Sequence, residues 1–143
     1  MIFVARLVFK PGAVTTFATT QARKDVRTVT AAINRKARRN APGGPYSTGA
    51  LKRSINWSVR TLRTTVIGTS GSALIYAYSV HEGQPAREIT PKRAPYLSFF
   101  WRRVGRRVRF LKVNHPGTAP QPYMVQALLT EAPQYGYKVV IYK

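Results

Sequence analysis

Five arginines, Arg102, Arg103, Arg106, Arg107 and Arg109, fall within eight consecutive positions that contain no acidic residue. A guanidinium presents paired N–H donors matched to phosphate or carboxylate oxygens, so this cluster, extended by Lys112, suits a surface facing DNA or an acidic protein. The plain alternative is a solvated hairpin tip. Residues for catalysis are scarce, the titratable acids and bases near neutrality being Asp25, Glu82, Glu88, Glu131, His81 and His115. General acid and base catalysis needs such groups within hydrogen-bond reach of a reacting atom. His81 and Glu82 are neighbours in sequence, and adjacent side chains diverge on a helix or a strand, so they are expected not to act together. His115 precedes Pro116-Gly117, a turn context in which a ring hydrogen-bonded to backbone is the expected role. No metal-ligand spacing links the histidines. Gly43-Gly44 and Gly68-Thr69-Ser70-Gly71 lack the Lys-Ser/Thr ending of a phosphate-binding loop and read as turns. We therefore expect no catalytic residue, metal or cofactor, and a protein that is not an enzyme.

Charge is the most abnormal property of the chain, with 24 Lys and Arg against 4 acids in 143 residues and a net charge of +20. Twelve basic residues lie in positions 1–60 and twelve in 61–143, so the fold itself carries the charge rather than a basic arm. Such an excess repels itself when compact and attracts polyanions or acidic partners. Hydrophobic residues at 44% and aromatics at 11% are nevertheless those of a folding chain. The length fits one domain. There is no cysteine, so disulfides and thiolate chemistry are excluded. The apolar start Met1 to Phe9 is interrupted by Arg6 and followed by no small-residue cleavage pattern, which reads as a strand rather than a leader. No stretch has the length of a membrane span, and assembly in the cytoplasm is expected.

The elements that must position the cluster follow from periodicity. Residues 2–9 are strand formers stopped by Pro11-Gly12. Val14, Phe17, Ala18, Ala22, Val26, Val29, Ile33 and Ala37 recur at helical spacing, with Arg23, Lys24, Arg27, Arg35, Lys36, Arg38 and Arg39 opposite, and the run from Asn40 to Pro45 ends the helix. Ser47 or Thr48 is expected to cap a short helix through Ile55. Ile55, Trp57 and Val59, and then Thr64 to Ile67, form two antiparallel strands closed by Gly68 to Ser72. Ala73 to Gly83 fits a strand or a helix, the spacing of Leu74, Ala77 and Val80 favouring a short helix, and residues 84–96, with three prolines, read as an irregular loop. Positions 97–113 predict a hairpin turning near Gly105 with a cationic tip. A loop over 115–122, a short helix over 123–130 and a strand over 137–142 complete an α+β domain spanning 1–143. In it one long N-terminal helix packs on a mostly antiparallel sheet, with short helices and the basic hairpin added. Trp57, Phe99, Phe100, Trp101, Phe110 and Tyr123 could stack bases, although core or subunit contacts are the commoner role of such aromatics.

Three blocks resemble the tail-completion (gene-product-ten-like) neck proteins of long-tailed bacteriophages. The first is Ala37-Arg38-Arg39-Asn40-Ala41-Pro42 with Ser47-Thr48-Gly49-Ala50-Leu51-Lys52-Arg53-Ser54-Ile55. The second is Tyr76-Ala77 with Val80 and Gly83, where the acidic residue, Glu82, stands one place later than in the family pattern. The third runs from Ile89-Thr90-Pro91-Lys92 through Leu97-Ser98-Phe99 to His115-Pro116-Gly117-Thr118 and Gln121-Pro122-Tyr123-Met124. Together they span roughly residues 37–129.

The resemblance implies a structural subunit of the head-to-tail connector, as tail completion, tail terminator or head closure. It would form a ring, in expectation a hexamer, around the DNA exit channel of the virion. Its partners would be itself, other phage neck and tail proteins, and genome DNA without sequence preference, with no membrane. In that reading Phe99, Phe100, Trp101, Phe110, His115, Pro116 and Gly117 form the subunit interface. The five arginines and Lys112 face DNA or an acidic partner. Composition alone argues nearly as well for a soluble basic nucleic-acid-binding protein, ribosomal-like or architectural, but no recognised module is present. A small basic ribonuclease would need His115, Tyr123 and arginines to converge in one cleft, and nothing in their order favours that.

Overall fold

The computed structural model describes residues 3–9, 16–44, 47–63 and 65–141. Expectations placed on Ile2, Pro11, Gly12, Val14, Pro45, Thr64 and Tyr142 lie outside the described residues, as do those on the side chains of Phe17 and Ala18. The chain is α+β. Its main sheet has strand β3 (Thr65–Ser72) in the centre, paired antiparallel with β1 (Phe3–Phe9) on one side and β2 (Ile55–Leu62) on the other. Leu62 pairs with Thr65, and Arg63 in the tight turn between them takes the left-handed φ of 51° that two-residue hairpins favour.

Helix α1 (Thr16–Asn40) lies against this sheet, and the contact begins with residue size. Val26, Thr30, Asn34 and Arg38, spaced one turn apart, form one row of the helix surface. The Thr30 hydroxyl donates to the Val26 carbonyl at 2.6 Å, the Asn34 amide donates to Ser70 Oγ at 3.0 Å, and Arg38 Nε donates to the Ile55 carbonyl at 2.8 Å. Opposite the row, β3 presents Gly68, where a Cβ would overlap the Thr30 hydroxyl and stand 3.0 Å from Val26 Cγ1. This corrects the expectation that Gly68 to Ser72 is a turn. The small residues occupy the central strand because the helix comes too close for larger ones, which is one of the few uses of glycine inside a sheet.

Helix α4 (Tyr123–Glu131) also packs on α1, so that α1 contacts both the sheet and this helix. Val26, Val29, Ile33, Ile55, Tyr123 and Met124 belong to one buried apolar cluster. Leu51 enters it from α2 (Ala50–Ser54) and Ala77 from α3 (Ala77–Glu82). Neither Ser47 nor Thr48 caps α2. The residue before the helix is Gly49 at φ 71°, while the Ser47 and Thr48 hydroxyls accept from the N–H groups of Gly49 and Ala50, at 3.2 and 3.4 Å. Such local turns compete with capping for the same hydroxyls.

The expected closing strand is likewise absent over 137–141, where the backbone is irregular. Tyr137 and Val139 pack on the core cluster instead, and the Tyr137 N–H donates to the Ala132 carbonyl at 3.1 Å. Their alternation is thus satisfied by burial of one side against the core, without a strand partner. Within the expected loop 84–96, Arg87–Ile89 forms strand β4, paired antiparallel with β7 (Val113–His115). Strands β5 (Leu97–Trp101) and β6 (Arg106–Phe110) form a separate two-stranded ribbon. No helix among the described residues is long and apolar enough to cross a membrane.

Replacing Gly68 by alanine is expected to lower stability by about 1–3 kcal/mol, because the helix must move off the sheet. Leu51→Asp and Ile55→Asp, at positions only 6% and 0% exposed, should abolish folding. Thermal denaturation followed by circular dichroism checks all three, and an unchanged melting temperature for Gly68→Ala would contradict the close approach.

Candidate functional site

Alternation along β5 and β6 sorts the cluster residues onto two faces. Leu97 is paired with Phe110, Phe99 with Val108 and Trp101 with Arg106, so these six share one face. Ser98 opposite Arg109 and Phe100 opposite Arg107 make the other. The first face is aromatic. The Phe110 ring centroid lies 6.1 Å from Phe99 and 6.2 Å from Trp101, the latter edge-on. Phe99, Trp101 and Phe110 line, with Lys112 and Val113, an open groove of about 410 Å³. Phe100 is separated from them onto the arginine face and is 57% exposed.

The turn between the strands carries Arg102 and Arg103 and is closed by Gly105 at φ 71°. The Trp101 carbonyl accepts from the Val104 and Gly105 N–H groups, at 3.0 and 2.9 Å. All five arginines are exposed. Arg109 places its guanidinium carbon 4.8 Å from the centre of the Tyr96 ring, a cation–π contact that orients it. Arg103, Arg106 and Arg107 have no acidic partner among the described residues. Lys112 differs, since its ammonium pairs with Glu88 at 3.0 Å across the base of the ribbon. Both groups are exposed, so the pair adds little stability, but it occupies Lys112 within its own chain.

His115, Pro116 and Gly117 belong to the neighbouring β4–β7 ribbon and its continuation. The Gly117 N–H donates to His115 Nδ1 at 3.0 Å, which puts the ring proton of a neutral His115 on Nε2. Gly117 has φ 86°, and a Cβ there would come within 2.8 Å of the Gln84 carbonyl oxygen and 2.9 Å of the Ala86 nitrogen. Gln84 and Thr118 exchange backbone hydrogen bonds of 2.9 and 2.8 Å. The His-Pro-Gly segment is thus latched onto residues 84–86 of its own chain, just ahead of β4.

His81 and Glu82 do meet, contrary to the expectation that they diverge. His81 Nδ1 lies 2.7 Å from Glu82 Oε1, with His81 only 3% exposed and its ring edge-on to Tyr123 at 5.5 Å. The pair forms because α3 ends at Glu82, leaving the longer glutamate chain free to fold back over the buried ring. Burial raises the Tyr123 hydroxyl pKa, and Tyr76 adds to the shift. Among the described residues no three of His, Asp and Glu come together as metal ligands would.

Sequence reasoning missed a second concavity, a cleft of about 400 Å³ lined by Pro42, Ser47, Leu51, Tyr76, Val80 and Gln121 among others. The Gln121 N–H holds its third wall in place by donating to the Val80 and His81 carbonyls, at 3.2 and 3.1 Å. Strands β2 and β3 separate Leu51 from Tyr76, and β4 to β7 separate Val80 from Gln121, so no local spacing announced the cleft. Compared with protein-family models, curated proteins and solved structures, the chain matches none.

If the arginines meet phosphates, changing Arg102, Arg103, Arg106, Arg107 and Arg109 to glutamine should flatten the logarithmic salt dependence of duplex DNA binding by up to about five units. Base preference should not change. Fluorescence anisotropy across a salt series measures both, and an unaltered slope would remove DNA from this surface.

Proposed function

We propose that the chain is a structural subunit of a bacteriophage head-to-tail connector, assembling as a ring around the DNA exit channel. Its body is the long helix α1 on the antiparallel sheet, and its assembly arm is the 97–113 ribbon. The observation that carries this reading is the ribbon itself. It is exposed on both faces, with Phe99, Trp101 and Phe110 beside Arg106 on one and Arg107 and Arg109 beside Phe100 on the other, which is costly for a lone soluble chain and useful for a subunit with a protein on one side and polyanion on the other. The net charge of +20, multiplied around a ring, gives a lumen that tolerates passing DNA without reading its sequence. The resemblance of three sequence blocks to tail-completion proteins points the same way. Tail completion, tail terminator and head closure are all compatible with these features, and so is residence in the virion.

A second reading, a soluble basic nucleic-acid-binding protein, is favoured by one observation. Arg23, Lys24, Arg27, Arg35 and Arg39 are all exposed along α1, giving a second cationic surface away from the ribbon. The two readings differ in assembly. The connector subunit is expected to associate into rings, measurable as mass in solution and visible by electron microscopy, and to be present in purified virions. A particle that stays monomeric at high concentration and is absent from virions would overturn the connector and leave the second reading.

A further inference from the structure

The ribbon has a feature that neither DNA contact nor ring formation uses. Among the described residues it consists of two strands, so each has one edge with no strand paired to it, whose backbone N–H and C=O groups can take a third strand. A strand added there would send alternate side chains to opposite faces. Along β6, one set would lie beside Arg106, Val108 and Phe110, on the face that carries the groove of about 410 Å³, and the other beside Arg107 and Arg109. We propose that the ribbon is a β-augmentation site for an extended segment of a different protein, in which apolar residues alternate with acidic ones.

Charge selects this occupant. A second copy of the chain has 4 acids to offer, and two are engaged, Glu82 with His81 and Glu88 with Lys112. Its own ribbon would bring arginine against arginine. Duplex DNA would satisfy the arginine face but keeps its bases stacked inside the helix, and nucleic acid of either kind leaves the strand edges without matched groups. Only a strand that is acidic on one side and apolar on the other satisfies both faces and the edge together. This deepens the assembly reading and rests on it for the partner being another virion protein, yet the peptide titration below does not read ring mass, so either can fail alone.

The probe is an end-blocked octapeptide alternating glutamate and valine, titrated into the full chain. The chain contains 2 tryptophans, so a Trp57→Phe background leaves Trp101 as the reporter in the groove. The alternating peptide should shift Trp101 emission to the blue and bind about tenfold or more tighter than a peptide of the same composition in block order. Phe99→Ser, and separately Arg107→Gln with Arg109→Gln, should each weaken it about tenfold while leaving the melting temperature within about 3 °C, since these side chains lie outside the core cluster. Equal affinity for the two peptides, or no binding of either, overturns the proposal. So does a thymidine octanucleotide that shifts Trp101 when the peptide does not, which would make the aromatic face a base-stacking platform. A mass increase at high salt that Phe99→Ser abolishes also overturns it, by identifying a second copy as the occupant.

Discussion

The approach of α1 to β3 is the contact on which the remaining architecture depends. Gly68 removes the side chain that would hold the helix away, and Thr30 fills the space with a hydroxyl already bonded to its own helix. That distance sets where Asn34 finds Ser70 and where Arg38 finds the Ile55 carbonyl, two polar links that fix the helix along the sheet. Because α4 packs on the same helix, an error in this spacing would propagate to α4. Buried polar groups that are mutually satisfied cost little and penalise alternative registers, since a slip of one residue would strand each of them without a partner.

A chain with 24 cations and 4 acids cannot satisfy its cations with carboxylates. The fold uses other acceptors. Arg38 bonds a backbone carbonyl, Arg27 sits 5.7 Å from the Trp57 ring centre and Arg109 4.8 Å from that of Tyr96. Each contact orients a guanidinium without neutralising it, so the positive field survives folding. The core cluster holds no charged side chain, and the arginines of the ribbon are gathered where no core contact is at stake. The core that carries folding is thereby kept apart from the cationic ribbon. The helix and main sheet carry stability, while the ribbon can change its charge or aromatic content with little effect on the body.

Much of this was legible in the residues themselves. The spacing of Ala22, Val26, Val29, Ile33 and Ala37 announces α1, and aromatic and β-branched residues flanking Gly105 announce the hairpin, because both patterns arise from local geometry repeated along the chain. The assignment of Phe99, Trp101 and Phe110 to one face and of Arg107 and Arg109 to the other also follows from alternation once the turn is placed. Other features depend on distant neighbours. Gly68 to Ser72 has the composition of a turn and is a strand because a helix lies over it. Tyr137 to Ile141 has the alternation of a strand and is irregular because the core covers one side of it and no strand among the described residues pairs with it. His81 and Glu82 meet only because α3 stops between them and the next glycine.

By itself, then, the sequence determined the periodic elements, the absence of thiol chemistry and the large positive charge, since these depend on residue identity and local spacing alone. Tertiary structure alone decided which small residues are turns and which are close approaches, and that Lys112 is tied to Glu88 while Arg103, Arg106 and Arg107 have no acidic partner among the described residues. Those outcomes turn on what stands opposite each residue across the sheet or under the helix, and opposition is a property of the folded chain.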